Sequence, residues 1–254
     1  MIITIDLEYD WESRKTKSIF LITKLLDFFD DYNIKATFFV LGKLIEKNEN
    51  YIKEIAKKHE IASHGFLHKD LRKLDEKSLE KEISLTKQIL TEINIPCIGF
   101  RSPYFLLHKS LGKILEKNNY KYDSSVSKGF IWGRYNNIFL SNRPYYLYNK
   151  ILEIPVSNFS FIRMPLGLPF IRLAKRFHLP ISGIKESSVF YMHPYELLES
   201  KPGKEVPFIY RQLYKINIGK KAWKILEDFF SSLECKFITC KDYFKEFEKY
   251  EKLE

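Results

Sequence analysis

Short runs of β-branched and aromatic residues alternate with longer amphipathic runs along this chain, and no other feature restricts its fold as strongly. Such alternation is typical of parallel sheets whose strands are connected by helices. The predicted strands are residues 2–6, 35–40, 60–64, 97–100, 120–123, 152–156, 188–193 and 236–239. The predicted helices are residues 17–32, 43–58, 75–93, 109–118, 220–233 and 241–250. Seven or eight such units favour an α/β barrel that spans residues 1–254 as a single domain.

Two segments interrupt this alternation. Residues 124–150 are rich in Tyr, Asn, Ser and Arg, and residues 157–187 contain three prolines and several basic residues. Loops of this length in a compact domain usually carry function, and the substrate sites of barrels lie at the rim where the strands end. We therefore interpret both segments as insertions on the barrel rim.

The composition restricts partners and location. Lys and Arg number 42 and Asp and Glu 32, so the net charge of +10 favours anionic surroundings without selecting a partner. No clustered basic motif supports nucleic-acid binding. Three cysteines form no CxxC pair, and a strand-like run begins directly after Met1, so we expect a cytoplasmic protein without a signal peptide. Contact with a membrane surface and formation of a homo-oligomer are both compatible with this composition.

Three carboxylates follow the first predicted strand at alternate positions, namely Asp6, Glu8 and Asp10. Alternation along an extended chain places all three on one side. Like charges at such spacing repel unless a cation or an arginine compensates them. The pattern therefore indicates either a metal or catalytic site or an ordinary polar loop.

Two histidines four residues apart, His64 and His68, follow the third predicted strand. On one side of a helical turn they would present two nitrogens to one ion, as zinc sites require. The alternative is a chance pair of one core histidine and one surface histidine.

Arg101 and His193 follow two further predicted strands. An arginine at a strand end can hold a buried carboxylate ionised, and Pro103 fixes the backbone so that the next amide points inward. Apolar neighbours lower the pKa of a histidine, whereas Glu196 would raise that of His193. Each motif alone has a structural explanation. Together they fall at the carboxyl ends of strands of one barrel, where catalytic groups gather.

In this order the motifs resemble those of the polysaccharide deacetylase family, also called the chitooligosaccharide deacetylase homology domain. The similarity extends from Ile2 to about Glu196 and includes the run at residues 36–42. The Asp-x-Glu opening and the His-Pro-Tyr-Glu-Leu close resemble a subgroup found with exopolysaccharide and surface-glycan synthesis. The resemblance implies an irregular (β/α)7 barrel with long rim loops.

The resemblance also implies roles for the chemical groups. Glu8, His64 and His68 would bind one divalent ion, and we favour Zn²⁺ over another divalent transition metal. Asp6 would be the general base, and His193 would be the general acid.

Four further positions complete the implied site. Arg101 would orient the base, and the backbone amide of Tyr104 would help to hold the oxyanion. Pro103, Tyr104 and Tyr195 would contact the substrate.

Two assignments stay open at this point. The usual family opening has two adjacent aspartates, so the carboxylate ligand is Glu8 or Asp10, and Glu8 is preferred because it lies on the same face as the base. The carboxylate that adjusts the pKa of the acid histidine is Asp123, Glu153 or Glu196.

The implied activity is metal-dependent removal of N-acetyl groups from an amino-sugar glycan or glycan precursor, with free amine and acetate as products. The alternatives are hydrolysis of another amide, such as a cyclic ureide or imide, and a noncatalytic glycan-binding module. A cytoplasmic location would fit an N-acetylated soluble or lipid-linked sugar substrate. Residues 157–180 would either lie against an anionic membrane through Arg172, Lys175 and Arg176 or form a lid. No functional residue is expected beyond Glu196.

Overall fold

The structure is a computed structural model that describes residues 1–251 except residues 14, 132–133, 149, 160–163 and 205. Its described strands are β1 (Ile2–Leu7), β2 (Ala36–Val40), β3 (Glu60–Ser63), β4 (Gly99–Phe100), β5 (Tyr122–Asp123), β6 (Phe130–Ile131), β7 (Tyr135–Asn136), β8 (Tyr145–Leu147), β9 (Ile151–Glu153) and β10 (Val189–Met192). Its described α-helices are α1 (Ile22–Asp31), α2 (Gly42–Ala56), α3 (Glu76–Glu92), α4 (Leu111–Lys117), α5 (Leu168–Arg176), α6 (Phe208–Tyr214), α7 (Lys220–Ser231) and α8 (Cys240–Glu251). None of these helices is long and apolar enough to cross a membrane.

Eight strands form one curled sheet in the order β10, β1, β2, β3, β4, β5, β9, β8. Those from β10 to β9 run parallel, and β8 pairs antiparallel with β9 at the edge. Two backbone hydrogen bonds connect β10 to the segment that follows β9. The amide of Ser157 donates to the carbonyl of Val189 at 3.1 Å, and the amide of Tyr191 donates to Leu166 at 3.1 Å. The expected irregular barrel of seven parallel strands is confirmed.

Strand β1 shows how the sequence places a polar site inside an apolar fold. Every residue of the strand is buried, as in parallel strands that are covered on both faces. Ile3, Ile5 and Leu7 join the main hydrophobic core. The alternate side chains of Thr4 and Asp6 point the other way, where both accept hydrogen bonds from a buried arginine. Alternation therefore brings the first carboxylate into the barrel at the end of the strand.

The structure differs from the sequence-based elements in several places, among them α6, which lies in no predicted element. The predicted strand at residues 236–239 is wrong, because Ile238 makes a single bridge to Ile2 and α8 begins at Cys240. Residues 124–150 contain the short strands β6, β7 and β8, and residues 157–187 contain α5. Residues 132–133, 149 and 160–163 of these insertions lie outside the described residues.

His59 gives the fold a pH-dependent stability. It lies between the rings of Phe29 and Phe38, with centroids 5.7 and 5.6 Å away, and its Nδ1 accepts a hydrogen bond from the amide of Ala36. Burial lowers the pKa of His59 to about 4. Because the folded state favours the neutral ring, this contribution is complete above about pH 6.5 and is lost as the pH falls towards 4, by up to about 3 kcal/mol.

We therefore expect the free energy of unfolding of a His59→Gln variant to fall less than that of the wild-type chain between pH 6.5 and pH 4. Urea denaturation at several pH values measures this difference. Identical pH dependence in the two proteins would contradict the assignment.

Candidate active site

The carboxyl ends of β1, β3 and β10 open into one cavity of about 680 Å³. Its lining includes five residues that the sequence places in a site, namely Asp6, Glu8, His64, His68 and His193. Tyr104 and Tyr195 also line the cavity, whereas Arg101 is fully buried beside Asp6 and Pro103 is buried in a 3-10 turn. Residues from distant parts of the chain thus meet at the end of the barrel where catalytic groups gather.

Glu8, His64 and His68 form a cluster with the spacing of metal ligands. The Oε2 atom of Glu8 lies 3.2 Å from Nε2 of His64 and 2.5 Å from Nε2 of His68. One ligand atom from each residue lies within 4.8 Å of the others. Burial alone would raise the pKa of Glu8, but His68, His193 and His64 together hold this pKa well below its usual value. The cluster therefore offers one ionised oxygen and two imidazole nitrogens, a donor set that suits zinc.

The hydrogen bonding of the two histidines fits a bound divalent ion. The Nδ1 atom of His64 lies 2.9 Å from the carbonyl oxygen of Arg101. A proton on Nδ1 makes this hydrogen bond and leaves the Nε2 lone pair directed to the cluster. Within the described part of the chain, the buried Nε2 of His68 has no well-aligned hydrogen-bond partner, although Glu8 lies close to it. Both nitrogens therefore suit coordination of a transition metal.

Asp10, the other carboxylate that the sequence left open, has different partners. Its carboxylate accepts hydrogen bonds from the amides of Lys17 and Ser18 and from the Ser18 hydroxyl. Burial raises the pKa of Asp10 despite these bonds. Asp10 therefore holds the 3-10 turn at Lys17–Leu21, and Glu8 is the carboxylate beside the histidines.

A buried glutamate of α3 holds the loop that carries both histidines. The Oε1 atom of Glu82 accepts hydrogen bonds from the amides of Phe66 and Leu67, at 3.0 and 2.5 Å. The backbone is left-handed at Gly65, with φ of 78°, and at His68, with φ of 62°. These two residues bend the loop so that its histidines reach the same cluster. The sequence analysis missed Glu82, since helix periodicity only shows that the position is buried.

We expect a Glu82→Ala variant to bind the metal about 10- to 100-fold more weakly, because two loop amides lose their acceptor. Competition with a chromophoric chelator measures the dissociation constants. The control is Glu80→Ala, which removes a surface ion pair with Lys117 from the same helix and should leave the affinity unchanged. Equal affinities in all three proteins would contradict the role of Glu82.

Arg101 fixes Asp6 from within the barrel. Its Nη1 donates hydrogen bonds to Oδ1 of Asp6 at 2.7 Å and to the hydroxyl of Thr4 at 2.8 Å. Its Nε and Nη2 donate to the carbonyl and hydroxyl oxygens of Ser124. The guanidinium also lies 4.1 Å from the ring centroid of Phe39. These contacts lock the arginine, so that it binds one oxygen of Asp6 while the other oxygen lies towards His193.

His193 faces the cluster from the end of β10. Its Nε2 lies 4.0 Å from Oδ2 of Asp6 and 3.8 Å from Oε1 of Glu8. Its Nδ1 lies 3.2 Å from Oε1 of Glu196, and its ring stacks on Tyr195 with centroids 4.7 Å apart. Burial alone would lower the pKa of His193, but Glu196, Glu8 and Asp6 outweigh it and raise this pKa above its usual value. The surroundings therefore favour a protonated ring.

The sequence left three carboxylates as candidates for the partner of His193, and of these Glu196 is the one in contact with it. It also accepts a hydrogen bond from the His193 amide at 3.0 Å, and its Oε2 lies 2.9 Å from Nε of Arg172. Arg172 is 1% exposed, and its Nη1 donates to the carbonyl oxygens of Tyr214 and Ile216. A buried ion pair therefore joins the rim insertion to the candidate acid.

The burial of Arg172 corrects one sequence-based expectation. Arg172 cannot contact a membrane surface while it is paired inside the protein, whereas Lys175 and Arg176 on the same helix are exposed. The predicted membrane contact of Arg172 is therefore wrong.

Asp123 and Glu153 form a separate buried pair behind the turn that precedes Tyr104. Asp123 accepts a hydrogen bond from the Ser125 hydroxyl, which in turn accepts one from the Ser102 amide at 2.7 Å. Burial raises the pKa of Asp123 to about 6 and that of Glu153 well above its usual value. Because the two carboxyl groups are adjacent, we assign them a shared proton and a structural role under this turn.

The wall opposite the barrel strands contains Tyr104, which the sequence analysis named, and Arg134 and Tyr210, which it missed. Tyr104 has a left-handed backbone, with φ of 59°, and its ring packs edge-on against His68 at 4.4 Å. The guanidinium of Arg134 lies 5.2 Å from the ring centroid of Tyr104 and 5.1 Å from that of Tyr210 in α6. Helix α6 lines the same cavity. Residues beyond Glu196 therefore line the cavity, in a part of the chain where the sequence analysis expected no functional residue.

Part of the chain is similar to known proteins. Residues 10–122, less than half of the chain, match the model of the polysaccharide deacetylase family. This part of the chain therefore resembles a polysaccharide deacetylase domain. A curated relative, the peptidoglycan-N-acetylglucosamine deacetylase of Bacillus cereus, is 39% identical over 95 residues, which are 37% of this chain and 32% of the relative. The chain spans about a third or less of the length of the curated relatives it matches.

Solved structures share the fold of this chain. A protein from Mycobacterium smegmatis assigned to the polysaccharide deacetylases superposes with a TM-score of 0.60 at 18% identity, over 98% of this chain and 91% of that one. A CE4 family pseudoenzyme from Bacillus anthracis superposes with a TM-score of 0.51 at 13% identity, over 93% of this chain and 63% of that one. The stretch that matches the family model excludes Asp6, Glu8 and His193, so their roles rest on the geometry given above.

Proposed function

We propose that this chain is a metal-dependent de-N-acetylase, which hydrolyses the N-acetyl group of an amino-sugar glycan or glycan precursor to free amine and acetate. One observation carries the proposal: a cluster of two histidines and a carboxylate shares one cavity with an arginine-held carboxylate and a glutamate-held histidine. The match to the polysaccharide deacetylase family and the acetylated amino sugar named for the Bacillus cereus relative support the substrate class.

Water activation is assigned to the strand β1 side of the cavity. Glu8, His64 and His68 would hold the divalent ion, which when bound supplies Lewis acidity towards the acetamide carbonyl and the attacking water. Asp6 accepts the proton of that water, because Arg101 occupies its Oδ1 and leaves its Oδ2 on the side of the cavity.

His193 is assigned the role of general acid, which protonates the departing amine. The carboxylates of Glu196, Glu8 and Asp6 raise its pKa and so favour the protonated ring, and Glu196 fixes the ring through Nδ1 so that Nε2 faces the cluster. The backbone amide of Tyr104 as an oxyanion donor, and Pro103 and Tyr195 as substrate contacts, stay predictions. The identity of the ion as Zn²⁺, the cytoplasmic location, the single-domain organisation and the oligomeric state also stay predictions.

Metal content and acetate release test the proposal together. Elemental analysis should find about one divalent ion per chain in the wild type and in Asp10→Ala, and much less in Glu8→Ala. The two variants are matched, because each removes one carboxylate near the end of β1 and only Glu8 lies beside the histidines. Acetate release from N-acetylated chitooligosaccharides should follow the metal content.

Two results would overturn the proposal. A metal-loaded wild-type chain that binds acetylated glycans but releases no acetate would indicate a noncatalytic module, and the Bacillus anthracis pseudoenzyme shows that this fold occurs in such proteins. Turnover of a cyclic ureide or imide, with no turnover of acetylated glycans, would indicate a different amide hydrolase.

A further inference from the structure

The cavity extends beyond the ligand cluster, and its outer wall differs chemically from its floor. The floor carries the charged and imidazole groups described above. The outer wall comes from both rim insertions and from α6. Its aliphatic members, called here the aliphatic wall, are Ile131, Ile138, Met164, Leu173, Ile209 and Leu213.

Several side chains of this wall are open to water. Ile209 is 72% exposed, and Met164 and Leu213 are 38% and 37% exposed. Phe139 and Phe208, the sequence neighbours of two wall residues, are 96% and 66% exposed. Large apolar side chains grouped around one opening are unfavourable in water, and such groups usually mark a binding surface.

The aliphatic character of the wall distinguishes between ligands. The same cavity also carries aromatic rings, among them Phe130, Tyr135 and Phe170, on which a sugar ring can pack, but the aliphatic side chains offer neither such a face nor a partner for hydroxyl groups. A glycan chain laid on this wall would lose hydrogen bonds to water without replacing them. A hydrocarbon chain would gain about fourfold in affinity for each methylene group that it buries.

The position of the wall indicates that a hydrocarbon chain bound there is part of the substrate molecule. The wall and the ligand cluster line the same cavity, whose volume of about 680 Å³ accommodates a molecule of drug size. A group bound on the wall during catalysis is therefore close enough to the acetamide to be part of the same molecule. A detached apolar ligand or a partner protein would instead compete with the substrate for the opening.

We propose that the substrate is a glycolipid, an N-acetylated amino sugar joined to a lipid chain, with its acetamide at the cluster and its chain along the aliphatic wall. This inference rests on the deacetylase activity proposed above and specifies its substrate class. The chain is either a linear acyl or alkyl group or a branched isoprenoid, since both share the chemistry that the wall recognises.

A series of glycosides of N-acetylglucosamine tests the inference. The methyl, hexyl, octyl, dodecyl and farnesyl glycosides are compared below their critical micelle concentrations, and kcat/KM for acetate release is measured for each. We expect kcat/KM to rise at least a hundredfold from methyl to octyl, mainly through a lower KM. A preference for farnesyl over dodecyl would identify an isoprenoid chain, and the reverse would identify a linear chain.

Variants of α6 connect the effect to the wall. Leu213→Asn and Ile209→Asn should lower the ratio of the octyl to the methyl value of kcat/KM by at least tenfold. The matched control is Phe177→Asn, because Phe177 is also an exposed apolar residue, at 58%, but does not line the cavity. The control variant should keep the wild-type ratio.

A binding measurement separates this inference from the deacetylase proposal. Octyl glucoside, which has no acetamide, should bind the metal-free wild-type chain saturably in calorimetry, and Leu213→Asn should bind it at least tenfold more weakly. Acetate release that is independent of chain length would overturn the glycolipid inference and leave the deacetylase proposal intact. Octyl glucoside binding without acetate release from any glycoside would overturn the deacetylase proposal instead. A dimer in sedimentation that Leu213→Asn dissociates, without octyl glucoside binding, would assign the wall to a second copy and overturn the inference.

Discussion

Replacing Asp6 by Asn is expected to lower kcat for acetate release by about a thousandfold while the chain keeps its divalent ion. A positioned general base contributes about 10²- to 10⁴-fold to rate, and an amide cannot accept the proton that a carboxylate accepts. The Asn oxygen can still accept the hydrogen bond from Arg101, and the ligand cluster of Glu8, His64 and His68 is unchanged. Acetate release at saturating substrate and metal content are measured on the same sample.

Asp10→Asn is the matched control for this experiment. It makes the same chemical change four residues later, at a carboxylate that binds the backbone of Lys17 and Ser18. Its turnover should stay within a few fold of the wild-type value. Wild-type turnover in Asp6→Asn would exclude Asp6 as the base, and loss of the metal in that variant would place Asp6 among the ligands.

Much of the barrel was predictable because buried parallel strands have a local signature. Strands β1, β2, β3 and β10 are runs of consecutive buried residues, and each falls within or beside a predicted strand. The segment at residues 236–239 has similar composition, but among the described residues its one bridge to a strand is that of Ile238 to Ile2. Composition reports that a segment is buried, and it does not report whether a neighbouring strand is free to pair with it.

The candidate site likewise contains residues that the local sequence predicts and residues that only the tertiary structure brings to the site. Asp6, Glu8, His64 and His193 directly follow or end strands, so their meeting point follows from the barrel alone. The groups that hold them depend on the packing of helices. Glu82 reaches the histidine loop from α3, and α6 closes the cavity from residues 208–214. No spacing rule links such positions, since their partners are chosen by tertiary structure.

Arg172 shows how far a charged residue can depart from its expected environment. Sequence composition treats it like Lys175 and Arg176, although Arg172 is buried against Glu196 and the other two are exposed. We expect Arg172→Met to lower the free energy of unfolding by about 3–5 kcal/mol, because Glu196 keeps its buried charge without its arginine partner. Urea denaturation at pH 7 measures the change.

Two further variants separate loss of the ion pair from loss of packing. Arg176→Met makes the same substitution on the exposed part of α5 and should change the free energy of unfolding by less than about 0.5 kcal/mol. Adding Glu196→Gln to Arg172→Met should restore part of the lost stability, since the double variant no longer buries an unpaired charge. If Arg172→Met were as stable as Arg176→Met, the buried pair of Arg172 and Glu196 would be excluded as a source of stability for the fold around the candidate acid.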